Sequence, residues 1–122
     1  MKDLPGVLPD SGHSAHSYSK NGSTIVELHG EIDLATAPEV RLHIDAATAL
    51  VGSRLVVDLR PVEFIDCAAF ALLCRARRRL RDRGGTMVLV CVRPWHLKLL
   101  RAAGLGDCFR VVETVEEAVA QG

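Results

Sequence analysis

Two aspartates that each precede a predicted helix are the residues of this chain best suited to chemistry. Asp66 stands between Ile65 and Cys67, where an apolar strand gives way to an apolar helix, and Asp33 follows an earlier strand. A carboxylate at a helix start accepts hydrogen bonds from amides that the first turn leaves unpaired, and the helix dipole favours its charge. An N-cap is therefore the simplest role for Asp66. If the two carboxylates meet, they could also form an acid–base pair.

Catalysis by these residues lacks the partners that it requires. No third polar group of obvious purpose accompanies the two aspartates, and the nearest histidine, His29, lies within a predicted strand as a structural residue. A cysteine at a helix start can act as a nucleophile, but the carboxylate of Asp66 disfavours the thiolate of Cys67, and no His or Lys is placed to activate it. We therefore expect no enzymatic activity, no metal site and no cofactor.

The four cysteines are widely spaced and form no C-x-x-C pair, which argues against a zinc or redox motif. Each has apolar neighbours. This pattern predicts four reduced thiols that behave as small buried hydrophobic side chains in a cytoplasmic protein. The four are Cys67, Cys74, Cys91 and Cys108.

The only basic cluster spans residues 75–83, on a predicted helix without interleaved aromatic residues. Such arginines spread around a helix, so the segment indicates a solvated face rather than a surface that binds nucleic acid. The chain carries 15 basic and 15 acidic side chains and no phosphate-binding glycine loop, and no apolar run approaches the length of a membrane span. We expect no direct nucleic-acid partner and no membrane partner.

The totals fit one globular domain. Of the 122 residues, 48% are hydrophobic and only 4% are aromatic, which predicts a core of Val, Leu, Ile and Ala. Residues 1–17 are rich in Pro, Gly, Ser and His, and we predict a flexible N-terminal tail there, with the domain at 18–122. This segment lacks the apolar stretch of a secretory signal, which agrees with a cytoplasmic location.

The first half of the domain is predicted to begin with a hairpin. A short strand near Tyr18 leads through Asn21-Gly22 into a strand that Gly30 closes. A helix follows, with Thr36 as N-cap and Pro38 in the first turn, and Gly52 ends it. Spacings of four, three and four residues predict its buried face, which consists of Val40, Ile44, Ala47 and Val51.

The second half alternates strands and helices. Residues 54–59 are a nearly continuous apolar run, typical of a strand covered on both faces, and 62–65 continue as a loop or strand end. A helix from Cys67 to about Arg83 stops at Gly84-Gly85. Its apolar stripe is Ala69, Leu72, Leu73, Ala76 and Leu80. A strand at 86–92, a helix closed by Gly104, a strand at 109–112 and a helix from Val115 to Gln121 complete the chain.

This alternation predicts an α/β fold, a mixed, mostly parallel sheet of four to five strands packed against about four helices. The strand ends before Glu31, Pro61 and Arg93 then lie on one edge of the sheet. That edge brings Asp33 and Asp66 near each other, and it is where open α/β sheets usually bind ligands and partners.

Three segments together resemble the STAS domain family, and more narrowly its stand-alone bacterial anti-sigma factor antagonists. They are Gly30-Glu-Ile-Asp-Leu-Ala-Thr-Ala-Pro38, Leu55-Val-Val-Asp-Leu59 and Val62-Glu-Phe-Ile-Asp66. The resemblance implies a single STAS domain that binds an anti-sigma factor, usually a serine kinase of the histidine-kinase ATPase type, and so frees a sigma factor. The kinase reverses this by phosphorylating a Ser or Thr at the helix start.

The chain departs from the family at that position. The family pattern Asp-Ser-Ser-Gly is matched here by Asp66-Cys67-Ala68-Ala69, so Ala68 stands where the phosphate acceptor is expected. No Ser or Thr occurs between Ser53 and Thr86. We therefore expect no phosphorylation at this helix, and Ala69 is expected to add a methyl group at the contact surface. Oxidation of an exposed Cys67 would be a different switch, although a buried cysteine is the simpler expectation.

By this resemblance the partner-binding residues are Asp33, Thr36, Asp66, Cys67, Ala68 and Ala69. The expected function is that of an anti-sigma factor antagonist, monomeric or weakly dimeric, that acts on sigma-factor-dependent transcription. The alternative is a degenerate STAS domain that senses a ligand or serves as a scaffold without an anti-sigma partner.

Overall fold

The structure, a computed structural model, describes residues 7–105 and 107–121. Its elements, in chain order, are β1 (Ala15–Lys20), β2 (Ser23–Leu28), β3 (Gly30–Ile32), α1 (Ala37–Ala47), β4 (Arg54–Asp58), β5 (Val62–Ile65), α2 (Cys67–Asp82), β6 (Thr86–Val90), α3 (Pro94–Ala102), β7 (Arg110–Val112) and α4 (Val115–Gln121).

The main sheet has five strands in the order β1-β2-β4-β6-β7. β1 pairs antiparallel with β2 through the predicted turn, in which Asn21 and Gly22 both have positive φ, as this hairpin requires. All other neighbouring pairs are parallel. The predicted α/β fold, with a mixed, mostly parallel sheet and four helices, is confirmed.

Alternate residues of the central strands enter two separate cores. On β4, Leu55 and Val57 belong to the larger core, which also receives buried side chains of α1, α2 and α3. Val56 points into a smaller core that α4 covers with Val115 and Val119. The prediction that this strand is covered on both faces is confirmed, and so is the whole apolar stripe of α2, whose five residues are buried.

A second sheet was not predicted. β3 and β5 form a separate parallel pair, with Ile32 opposite Ile65. The expectation that Gly30 closes a strand is wrong, because Gly30 begins β3. Residues 62–65, expected to be a loop or the end of a strand, form a strand of their own, β5.

The first helix is shorter than its periodicity indicated. α1 ends at Ala47, and the amide of Thr48 bonds back to the carbonyl oxygen of Ile44. Val40, Ile44 and Ala47 are buried as predicted, but Val51 is 87% exposed. Val51 was wrongly placed on the buried face because its spacing of four from Ala47 continues the pattern beyond the helix end.

The N-terminal segment is anchored further upstream than predicted. β1 begins at Ala15, inside the predicted tail, and Ser14 and Ala15 are buried. Their amides donate to Glu39 Oε2 of α1 at 2.8 and 2.9 Å. The boundary of the tail at residue 17 is therefore wrong, and residues 1–6 of that tail lie outside the described residues.

Within the residues that the structure describes, no helix combines the length and apolar character needed to cross a membrane.

Candidate functional site

The β3–β5 pair brings the two aspartates together. The amide of Asp66 donates to the carbonyl oxygen of Ile32, the residue before Asp33, at 3.2 Å. Asp33 and Asp66 thus follow two adjacent parallel strands at the same edge. The expected proximity of their backbones is therefore present, although the contact comes from the small sheet rather than from the main one.

Asp66 caps α2. It has extended backbone angles, and its Oδ1 accepts a hydrogen bond from the amide of Ala68 at 2.8 Å. This bond pairs one of the amides that the first turn leaves free. The simplest role expected for Asp66 is correct, and the residue is partly exposed.

Asp33 organises the loop that leads into α1. Its Oδ1 accepts hydrogen bonds from the amides of Ala35 at 3.0 Å and Thr36 at 3.1 Å. The Thr36 side chain makes no capping bond to the helix. Instead its hydroxyl donates to the Glu31 carbonyl oxygen at 2.9 Å and accepts from the Asp33 amide at 3.0 Å. Thr36 occupies the predicted N-cap position, but its side chain does not cap the helix, because the hydroxyl turns back to the loop.

Residues 67–69 at the start of α2 differ in exposure. Cys67 is exposed and Ala68 is partly exposed, so both can meet a partner. Ala69 is 5% exposed and packs in the larger core. The expectation that its methyl group lies on the contact surface is wrong. We call the surface of Asp33, Thr36, Asp66, Cys67 and Ala68 the acidic rim.

The cysteines do not share one environment. Cys91 is buried as predicted, Cys74 is partly exposed, and Cys67 and Cys108 are exposed, so the prediction of four buried thiols is wrong for these three. All four are free thiols. Burial raises the pKa of the Cys91 thiol, against a smaller opposing effect of a backbone hydrogen bond at Arg93. The Cys91 thiol is therefore held in its neutral form.

His29 lies between β2 and β3 rather than within a strand as predicted. Its Nε2 lies 2.6 Å from Glu27 Oε1, as an ion pair or hydrogen bond that leaves both side chains partly exposed. Within the described ranges, no cluster of three or more His, Cys, Asp or Glu side chains has a geometry suited to a metal ion.

Two arginines of the predicted solvated face join α2 to α1. Arg75 donates from Nε and Nη2 to the two carboxylate oxygens of Asp45 at 2.9 and 3.1 Å. Arg79 donates to Thr48 Oγ1 at 2.7 Å and to the Asp45 carbonyl oxygen at 3.2 Å. Burial opposes ionisation of Asp45, but the bond from Arg75 and the charges of the nearby arginines outweigh it and lower the pKa of that carboxyl. For Arg75 and Arg79, the expected solvated face is wrong.

A groove of about 490 Å³ runs between α1 and α2 beside the acidic rim. We call it the α1–α2 groove. Its apolar lining includes Leu34, Pro38, Ala68, Ala71 and Leu72, and three arginines also line it, namely Arg41, Arg75 and Arg78. The groove was not predicted from the sequence. The one available signal was Leu34, a large apolar residue in the loop between Asp33 and Thr36.

The family model of the STAS domain matches residues 15–118, which is most of the chain. The chain belongs to the STAS domain family. This STAS protein is 33% identical over 101 residues to the anti-sigma-F factor antagonist RsfA of Mycobacterium tuberculosis, covering 81% of this chain and 79% of that relative. It is 29% identical over 82 residues to an anti-sigma-B factor antagonist of Listeria monocytogenes, covering 67% and 72%.

Solved structures agree with the family. The crystal structure of an anti-sigma factor antagonist from Mycobacterium paratuberculosis superimposes with a TM-score of 0.77 at 25% identity, covering 94% of this STAS protein and 97% of that chain. An anti-sigma-factor antagonist domain protein from Planctomyces limnophilus, at 17% identity, has the same fold with a TM-score of 0.79, over 89% and 97% of the two chains.

Proposed function

We propose that this STAS protein is an anti-sigma factor antagonist that binds a kinase-type anti-sigma factor through the acidic rim and so affects sigma-factor-dependent transcription. The start of α2 carries the proposal. Asp66 is fixed there as N-cap, Cys67 and Ala68 stand open beside it, and Asp33 lies on the adjacent loop. The names of its relatives support the general role. We further propose that it acts in the cytoplasm, as a monomer or weak dimer.

The same residues support binding that phosphorylation at α2 does not switch off. The side chain at position 68 is a methyl group, and no Ser or Thr occurs between Ser53 and Thr86. The hydroxyl of Thr36, on the neighbouring loop, is held by hydrogen bonds to Glu31 and Asp33. A phosphate at the start of α2 would add a charge of about −1.5 to −2 beside two carboxylates. Because position 68 has no hydroxyl, no phosphate can be attached there, and the repulsion that would weaken partner binding cannot arise.

The test uses the purified protein with a histidine-kinase-type anti-sigma factor of its own organism. Calorimetry measures the affinity before and after incubation with ATP, and mass spectrometry maps phosphate. We expect binding, an unchanged affinity after ATP, and no phosphate on α2. Phosphate on any residue between Ser53 and Thr86 would contradict the absence of the switch. A pull-down from native cell extract tests the alternative function. Recovery of only a sensor protein or a large STAS assembly would favour the scaffolding role.

The matched control is Ala68→Ser, which places a hydroxyl at the start of α2. Ala68 is partly exposed and Asp66 binds its backbone amide, so the variant keeps the capping bond. We expect Ala68→Ser to bind like the natural protein without ATP, to be phosphorylated with ATP, and then to lose affinity by about tenfold or more. A phosphorylated variant of undiminished affinity would show that the partner does not contact this rim.

A further inference from the structure

We propose that the α1–α2 groove binds an acidic amphipathic segment of the protein partner, with apolar side chains in the groove and carboxylates on its arginines. The identity of the partner rests on the proposed function, whereas the chemistry of the segment rests on the groove alone. The acidic rim and the groove share Ala68, so one partner can cover both surfaces.

The groove has an exposed apolar surface. Leu34 is 80% exposed, and Pro38 and Ala71 beside it are also exposed. Leu72 lies in the same groove with its side chain largely buried. A large apolar side chain that projects from a structured loop into water contributes little to the stability of the free protein. It becomes favourable when a partner removes it from water, as at the anchor points of protein interfaces.

The charge around the groove determines which sign of charge the bound segment must carry. Three arginines line the groove, and of these Arg41 and Arg75 face the carboxylate of Asp45, so the wall of the groove carries more positive than negative charge. Asp45 engages Arg75 closely, while Arg41 stands 3.6 Å from it. Arg78 is exposed and forms no ion pair with another described residue. The guanidinium groups of Arg41 and Arg78 are therefore open to carboxylates, which they bind in a planar fork.

The apolar lining favours a polypeptide over a nucleic acid. The groove is lined by Leu, Ala and Pro and contains no aromatic side chain on which a base could stack. Aliphatic side chains of a peptide fit such a surface, and Glu or Asp at helical spacing from them would reach the arginines.

The experiment uses two synthetic peptides of about 16 residues, long enough to form a marginal helix. One carries Leu on one face and Glu on the flanks, and the other has Lys in place of every Glu. Fluorescence anisotropy gives the affinities, and amide chemical shifts of the full chain map the site. We expect the acidic peptide to bind at least about tenfold more tightly, with the advantage reduced by salt. The largest shifts are expected at Leu34, Ala68 and Ala71.

Two charge reversals on α2 separate the groove from general electrostatics. Arg78→Glu is expected to weaken the acidic peptide by about tenfold. Arg81→Glu is the matched control, because Arg81 is also exposed on α2 but lines a different depression, beside Phe109. Thermal melts check that both variants fold. Absence of binding, equal affinity for the two peptides, equal effects of the two reversals or shifts outside the groove would each overturn the proposal.

The same variants separate this inference from the proposed function. If the acidic peptide binds the groove but no anti-sigma factor binds the protein, the groove is correct and the proposed function is wrong. If an anti-sigma factor binds and Arg78→Glu leaves its affinity unchanged, the proposed function stands and the groove is not part of that interface, which overturns the inference.

Discussion

Arg75 and Asp45 join the two helices that border the groove, through a forked pair of hydrogen bonds of 2.9 and 3.1 Å. The pair links the middle of α2 to the second half of α1, where Arg79 adds bonds to Thr48 and to the Asp45 backbone. Asp45 is thus the shared anion of several arginines. Asp45 holds the two helices together, and its negative charge neutralises part of the positive charge of the surrounding arginines.

Asp45→Ala is expected to lower the free energy of unfolding by about 1–2 kcal/mol, because Arg75 and Arg79 lose a shared partner. The value stays small because the Asp45 side chain is 33% exposed and water screens the pair. Urea denaturation measures it. Arg101→Ala, at an exposed position of α3, is the control and should change stability by less than about 0.5 kcal/mol. Equal effects of the two substitutions would contradict the link between the helices.

Stability should fall in mild acid because of two buried histidines. Burial lowers the pKa of His43 and of His96 below the ordinary value of 6.5. Both are nearly inaccessible, and Ser17 Oγ contacts His43 Nδ1. The folded state therefore binds fewer protons than the unfolded state, and the contribution present above pH 6.5 is lost as the pH falls towards the folded pKa values.

Urea midpoints measured from neutral pH to about pH 5 test this dependence. We expect His43→Gln to be less stable at neutral pH but to show a shallower slope in acid, with His96 accounting for the remainder. His13→Gln, at an exposed position, is the control and should keep the natural slope. A slope that His43→Gln leaves unchanged would contradict the assignment to His43.

The thiols should react in two groups. Cys67 and Cys108 are exposed and are expected to be alkylated quickly under native conditions. Cys91 is buried, and burial raises the pKa of its thiol, so it should react only after denaturant is added. Timed alkylation followed by peptide mass spectrometry measures each rate. Labelling of Cys91 at the rate of Cys67 in the native protein would show that the core opens far more readily than its packing indicates.

Ala69→Gly restores the residue of the family pattern and tests whether position 69 serves the core or the surface. We expect a loss of about 1–2 kcal/mol in the free energy of unfolding, from the lower helix propensity of glycine and the loss of a buried methyl group. Partner affinity should not change, because the Ala69 side chain packs inside. Calorimetry and urea denaturation measure the two quantities. Altered affinity with unchanged stability would place the residue at the interface.

Apolar patterns together with turn and cap residues located most of the architecture. The stripe on α2 follows from residues whose burial repeats at the helical period, and the two-faced strand β4 follows from its continuous apolar run. The β3–β5 pair has no such sequence pattern, since strands of three and four residues show almost no period and their partners lie some thirty positions apart. Val51 shows the opposite error. The apolar spacing of α1 continues to Val51 in the sequence, although the helix ends at Ala47.

The candidate site was predictable in its parts but not in its connections. Asp66 as an N-cap and its proximity to Asp33 follow from local chemistry and strand order. The turn of the Thr36 hydroxyl away from α1 and towards Glu31 depends on loop angles that composition does not specify. The link from Arg75 to Asp45 required knowing how two helices pack, because an arginine that binds a distant carboxylate has the same sequence pattern as a solvated one.

The small sheet has a mechanical consequence. Because β3 and β5 pair with each other and not with the main sheet, the loops that carry Asp33 and Asp66 rest on one platform. The bond from the Asp66 amide to the Ile32 carbonyl oxygen joins the two strands directly beside the aspartates. A partner therefore meets a surface whose geometry is set before contact, and association loses little conformational entropy in ordering it.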